Sequence, residues 1–183
     1  MKLSIEDLRK AGYVNIVLIV GAIILRLFYF NDFPTIVKAD AIICIISLIF
    51  GLIYSINGYT KNVAKDYKMF MLFYAFSILF SVVVPLSEII NGRFSVIMLI
   101  VISFDIIPLI CALLLTFIKD LGQKKSSIIV TILFLFCAAK TLIFIANSTF
   151  IQSTSNIAHL VQAIIAYIFV CAKYADKEAR GTK

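Results

Sequence analysis

SVIMLIVISFDIIPLICALLLTFI, residues 95–118, is an apolar run interrupted by a single charge, Asp105. A helix rises 1.5 Å per residue, so roughly 20 residues cross a hydrocarbon core of about 30 Å. This run is long enough to do so. A barrel strand would alternate apolar and polar residues over about ten positions. Residues 95–118 are apolar on every side, and backbone groups in lipid must be bonded within their own segment, which only a helix achieves.

Outward from that run the pattern repeats at 14–30, 37–57, 69–88, 128–147 and 157–171. The connections are short and leave no room for a soluble domain. The expectation is an all-α integral membrane bundle of six transmembrane helices, forming one domain over 1–183. Composition agrees: 62% of the 183 residues are hydrophobic and 15% charged, with a mean hydropathy of +1.06. Soluble domains are nearer half apolar and a quarter charged. The first run ends at Asn31-Asp32-Phe33-Pro34 instead of a small-residue cleavage site, so it is expected to remain as a span. Ahead of it, Ser4-Ile5-Glu6-Asp7 fits a capping box that would start a short interfacial helix.

The charges set the orientation. Thirteen Lys and Arg residues fall in the N-terminal end, the second and fourth connections and the C-terminal end; only Lys38 and Arg93 fall in the others. Basic residues are retained in the cytoplasm, so both termini are expected there, in a multi-pass protein of the inner or plasma membrane. The net charge of +7 is spread over four juxtamembrane segments. That distribution fits anionic lipid headgroups on the cytoplasmic side, and no basic patch of the extent nucleic acid needs is present. The Ile-, Phe- and Lys-rich composition points to an AT-rich bacterial genome.

Catalytic and metal chemistry find little support. Cys44, Cys111, Cys137 and Cys171 lie in four different spans, none at C-x-x-C spacing, and His159 is the one histidine. Metal and iron–sulfur sites need three or four such ligands together, and dispersed thiols on apolar helices behave as small hydrophobes. No nucleophile elbow, phosphate loop or dinucleotide fingerprint occurs. A thiol–His pair between Cys44 and His159 matches in depth only. The reading leans away from an enzyme, with no cofactor or metal.

Polar residues inside the runs are more informative. Asn15, Ile19, Ala22, Arg26 and Tyr29 share a face of the first helix; Asp40, Cys44, Ser47, Gly51 and Tyr54 share one of the second. Tyr74, Ser77, Ser81 and Glu88 do so on the third, with Pro85 beside them, and Ser155, His159, Gln162 and Ala166 on the sixth. In lipid such faces point into the bundle. Asp105 sits about 16 Å from the outer end of its run and Lys140 about 11 Å below Asn147 on the next. A lone charge near the bilayer centre costs about 2.5–3.5 kcal/mol, so an Asp105–Lys140 ion pair is expected, with Gln162 deep enough to join it. Arg26 is expected to pair with Asp40 or Asp32. With Glu88 and His159 these residues describe a polar funnel that opens outward and closes at Asp105–Lys140. Pro85 and Pro108 would kink its walls, and the inner halves of the helices form an apolar plug.

The candidate ligand-binding residues are therefore Asp105, Lys140, Gln162, His159, Glu88, Arg26 and Asp40. One reading of them is a pocket for a small polar solute, bound or transported from outside; the other is a purely structural set of ion pairs. A different class of function stays open beside these: a non-catalytic accessory or assembly protein packing against a partner membrane protein. In size, helix number and inside termini the chain resembles the substrate-binding subunits of energy-coupling-factor vitamin importers. That resemblance implies solute capture from outside and an A-x-x-x-A docking pattern on the first helix. Here the chain departs from it, since Ala22 is followed four residues later by Arg26.

Overall fold

The computed structural model describes residues 5–32, 35–56, 63–92, 95–118, 121–147 and 150–179. They form six helices: α1 (Ile5–Phe28), α2 (Thr35–Ile56), α3 (Val63–Ile90), α4 (Val96–Phe117), α5 (Gly122–Asn147) and α6 (Phe150–Ala179). A 3-10 turn, Phe30–Asp32, follows α1. The all-helical reading holds. Four helices contain stretches long and apolar enough to cross a membrane: Tyr67–Ser87, Met98–Phe117, Gly122–Ile145 and Thr154–Cys171. Gly12–Phe28 is a shorter apolar stretch. These features are consistent with a membrane protein, whose outer helix faces would contact lipid.

Several helices outrun the apolar stretches that announce them. The hydropathy pattern predicts 157–171, yet α6 runs from Phe150 to Ala179. Hydropathy marks only what matches hydrocarbon, whereas backbone hydrogen bonding continues wherever propensity allows, and Lys, Glu and Ala at 173–179 are good helix formers. Likewise α1 begins at Ile5 and runs unbroken into its apolar part; the capping Ser4 lies outside the described residues. Pro85 and Pro108 stay inside continuous helices. α3 ends where Gly92 takes φ +79, a left-handed conformation that costs glycine nothing.

Consecutive helices pack side by side, and α1 packs on α6, so the six close into a ring. α3 also touches α6 across the middle, as does α2. The ring thus has two halves, α1–α2 and α4–α5, with α3 and α6 as their shared wall. α2 and α3 run antiparallel: Asp40 meets Ser77, while Ser47, seven residues along α2, bonds the carbonyl of Phe70, seven back along α3. Gly51 faces α6 and α3, where a Cβ would meet Ile165 and the Phe70 ring at 3.4 Å, ordinary van der Waals contact.

The polar stripe read on the first helix falls on its buried face. On α1, Asn15, Ile19, Ala22 and Arg26 are buried, while Val17, Ile24 and Phe28 are exposed on the opposite side. Toward the end that carries the termini the core is largely apolar, though Ser47, bonded to the Phe70 carbonyl, and Ser55, Thr116 and Ser126 are also buried there. Phe169 stacks on Phe70 at 5.2 Å and meets Tyr67 at 5.4 Å; Leu48, Met71, Val130, Leu133 and Ile165 fill in around them. This is the plug expected from the sequence.

Candidate functional site

Two buried ion pairs lie above this plug, one in each half of the ring. In the α4–α5 half, Lys140 Nζ donates to both carboxylate oxygens of Asp105, at 2.6 and 2.7 Å, and to Ser81 Oγ at 3.2 Å. An ammonium has three donors, and all three are committed. Only 5% of the Lys140 side chain and 3% of that of Asp105 are accessible. The pair expected from matching depths on consecutive helices is present, and α3 adds a third arm through Ser81.

In the α1–α2 half, the Arg26 guanidinium bonds the Asp40 carboxylate through Nη2. Ser155 on α6 donates to the same carboxylate oxygen at 3.1 Å and lies 3.4 Å from Arg26 Nη2. Ser77 on α3 donates to the other oxygen at 2.7 Å. Four helices converge on one carboxylate. Of the two acids offered to Arg26, Asp40 is bonded to it; the side chain of Asp32 lies outside the described residues.

His159 adjoins this cluster. Its Nε2 is 2.9 Å from Ser77 Oγ and 3.8 Å from the nearer Asp40 oxygen. Ser77 has one proton, and the acceptor-only carboxylate takes it, so His159 Nε2 must be the donor to Ser77. In the neutral ring Nδ1 is then a bare acceptor. It is buried with no hydrogen-bond partner among the described residues. The order His–Ser–Asp runs opposite to that of a catalytic triad, where serine donates to histidine and the acid orients the far nitrogen. Cys44 is buried as a free thiol and His159 Nε2 is engaged by Ser77, so depth alone did not bring Cys44 and His159 into a nucleophile–base pair.

Gln162, expected to join Asp105 and Lys140, does not. It lies one turn from His159 on α6, is fully buried, and neither its amide oxygen nor its nitrogen has a partner among the described residues. Counting from Ser155, positions 159 and 162 advance by four and seven, which keeps all three on one face. That face is the one turned to α1 and α2 through the Ser155 contacts. Asn15, on the face of α1 that carries Arg26, is also buried with its Oδ1 unpartnered.

Between the two clusters stands Tyr74. Its hydroxyl donates to the His159 carbonyl at 3.0 Å and lies 3.2 Å from Cys137 Sγ, tying α3 to α6 and α5. The expected single funnel is therefore divided. Arg26, Asp40, Ser77 and His159 form one cluster, Asp105, Lys140 and Ser81 another, and Gln162 stands apart from both. The side chain of Glu88 lies outside the described residues, as does that of Tyr54. Sequence reading placed Ser77 and Ser81 on the inward stripe without assigning them partners; their spacing of four on the α3 face that carries the acids' partners was the available signal. Among the described residues, no group of three or more His, Cys, Asp and Glu could hold a metal ion. The chain matches no protein-family model, no curated protein and no solved structure, so its own residues carry the functional reading.

Proposed function

We propose that this chain is a multi-pass protein of the cell membrane, with six spans forming one domain, that binds a small polar solute inside its bundle. The observation that carries the proposal is Gln162, an amide fully buried on α6 with both ends unpartnered. Buried polar groups almost always find partners, and an exception marks a place where a water, ion or ligand is accommodated. The bare Nδ1 of His159 lies one turn away. Both ion pairs, by contrast, are closed on themselves, and they support the reading as the frame that fixes α6 against α1, α2 and α3.

The charge bias supports cytoplasmic termini, with the basic segments on anionic headgroups. The polar clusters then lie toward the outer half and the plug of Phe70 and Phe169 toward the cytoplasm, so solute arrives from outside. Whether it is carried further is a matter of conformational change at that plug.

The test is purification in mild detergent followed by mass spectrometry of what travels with the protein. A small molecule near one per chain, lost in Gln162→Leu, is expected. A stoichiometric membrane-protein partner with no solute overturns the binding reading in favour of an accessory role. Orientation is checked separately by fusions at Lys183: a fluorescent protein should light and a periplasmic phosphatase stay inactive.

A further inference from the structure

We infer that the solute is uncharged and carries an amide-type edge, an N–H beside a C=O, which pairs with Gln162 while a further N–H reaches His159 Nδ1. This rests on the reading of α6 as a binding face and names the class of molecule it takes.

The charge argument comes first. The two ion pairs that the described side chains form in this region are each matched within themselves. Arg26 is matched by Asp40, and Lys140 by Asp105. Lys140 has no donor left, with two on Asp105 and one on Ser81. The Asp40 oxygens receive Ser77 on one side, and Arg26 with Ser155 on the other. A carboxylate or ammonium solute would thus enter low-dielectric surroundings with no countercharge, or would have to break a formed pair. Neither burden falls on a neutral molecule.

Hydrogen-bonding capacity then narrows the class. Gln162 offers an acceptor oxygen and a two-proton donor nitrogen, side by side and both uncommitted. That edge is complementary to another amide edge, which forms two parallel bonds with it. A further unfilled acceptor, His159 Nδ1, lies one turn toward the ion pair. A solute that fills the set supplies more N–H donors than acceptors, as primary carboxamides, ureas and lactams with an extra N–H do. Alcohols and ethers cannot match the Gln162 edge, and esters lack the donor. Apolar side chains on the inward faces of α1 and α2, Ile19, Cys44 and Leu48 among them, are buried in the same core and suit a ring or short chain behind that polar edge.

Three probes that share one ring separate the classes: benzamide, benzoate and benzylammonium, each titrated into the intact protein in lipid nanodiscs. Binding is read by saturation-transfer NMR and by the shift in thermal midpoint. Benzamide is expected to bind at least tenfold more tightly than either charged probe, and to lose that advantage in Gln162→Leu. His159→Phe should weaken it while leaving benzoate unchanged. Gln162→Glu exchanges the amide for a carboxylate, and should move the preference to benzylammonium; the ranking on the unaltered protein needs no variant to fold. Equal or tighter binding of benzoate or benzylammonium, or a benzamide preference that survives Gln162→Leu, overturns the assignment of class. If a charged solute travels with the purified protein, the class fails while binding stands. With no solute and no probe bound, both fall, and the orphaned groups are met by water alone.

Discussion

Replacing Lys140 by Met removes an ammonium whose three donors are all engaged, two by the Asp105 carboxylate and one by Ser81. Met fills much of the space of the lysine stem, so the change is chiefly one of charge. Asp105 remains, 2% exposed, with its opposite charge gone. Breaking a buried pair from one side costs about 3–5 kcal/mol, because the remaining ion is left uncompensated in a medium that cannot solvate it. For a chain of this size that corresponds to a fall of roughly 6–20 °C in unfolding midpoint. The chain carries its own reporter: Cys44, Cys111 and Cys137 are buried free thiols, so a thiol-reactive dye becomes fluorescent as the bundle opens. Removing the second charge as well should reverse the loss. Asp105→Leu combined with Lys140→Met leaves no ion to desolvate, and such apolar replacements are often neutral or stabilising. The double variant is expected to melt within a few degrees of the parent. A single variant as stable as the parent, or a double variant as damaged as the single, would refute the claim that compensation within the pair, and not packing around it, sets the cost.

The remaining expectations use the same thiol assay. Arg26→Met leaves Asp40 with the hydroxyls of Ser77 and Ser155 as its bonded neighbours, and should cost about 3–5 kcal/mol; Arg26→Lys should recover only part of it, since an ammonium cannot reproduce the guanidinium fork. Gln162→Leu should raise the midpoint of solute-free protein, by the equivalent of about 1–3 kcal/mol, because it removes a buried amide with no partner; a fall would mean that the amide is bonded after all. Gly51→Ala should be neutral, or stabilising by up to about 1 kcal/mol, through helix propensity, since its methyl meets Ile165 and Phe70 at 3.4 Å. Gly51→Val should lose about 1–3 kcal/mol by overpacking that same contact.

How far the sequence reached depended on which coordinate was asked for. Position along the membrane normal is nearly linear in residue number, so depth was legible: Asp105 and Lys140, on consecutive helices, met as their depths required, and Arg26 met Asp40 across the first turn. Face was legible as well, since period 3.6 fixes which residues share a side; Asn15, Asp40, Ser77 and Gln162 are all buried. Azimuth between helices distant in sequence was not. That α3 and α6 would touch across the ring, giving Ser77 to Asp40 and His159 but Ser81 to Lys140, depends on how all six helices pack together, which no period announces. Gln162 shows the limit plainly. Its depth allowed it to join Asp105 and Lys140, but its face is turned to the other half.

The same division explains why charge and recognition are separable in this bundle. A charge in lipid-like surroundings is tolerated only when matched, and a match holds its two helices at fixed depth and register; Arg26–Asp40 does this for α1 and α2, Lys140–Asp105 for α4 and α5. α6 contributes no formal charge to either pair. It is held by hydrogen bonds: Ser155 to the Asp40 carboxylate, His159 to Ser77, Tyr74 to the His159 carbonyl and Thr141 to the Asn156 carbonyl. Neutral interhelical bonds in membranes average about 0.6 kcal/mol, far less than the cost of splitting a buried ion pair. α6 also carries the unfilled amide of Gln162 and the bare nitrogen of His159. A solute bonded to those two groups would stiffen α6 and the helices bonded to it. Its binding should accordingly slow amide exchange along α6 and on its neighbours at α1 and α3, while α4, anchored by Asp105, stays unchanged. Protection that spread evenly over all six helices would contradict this ordering.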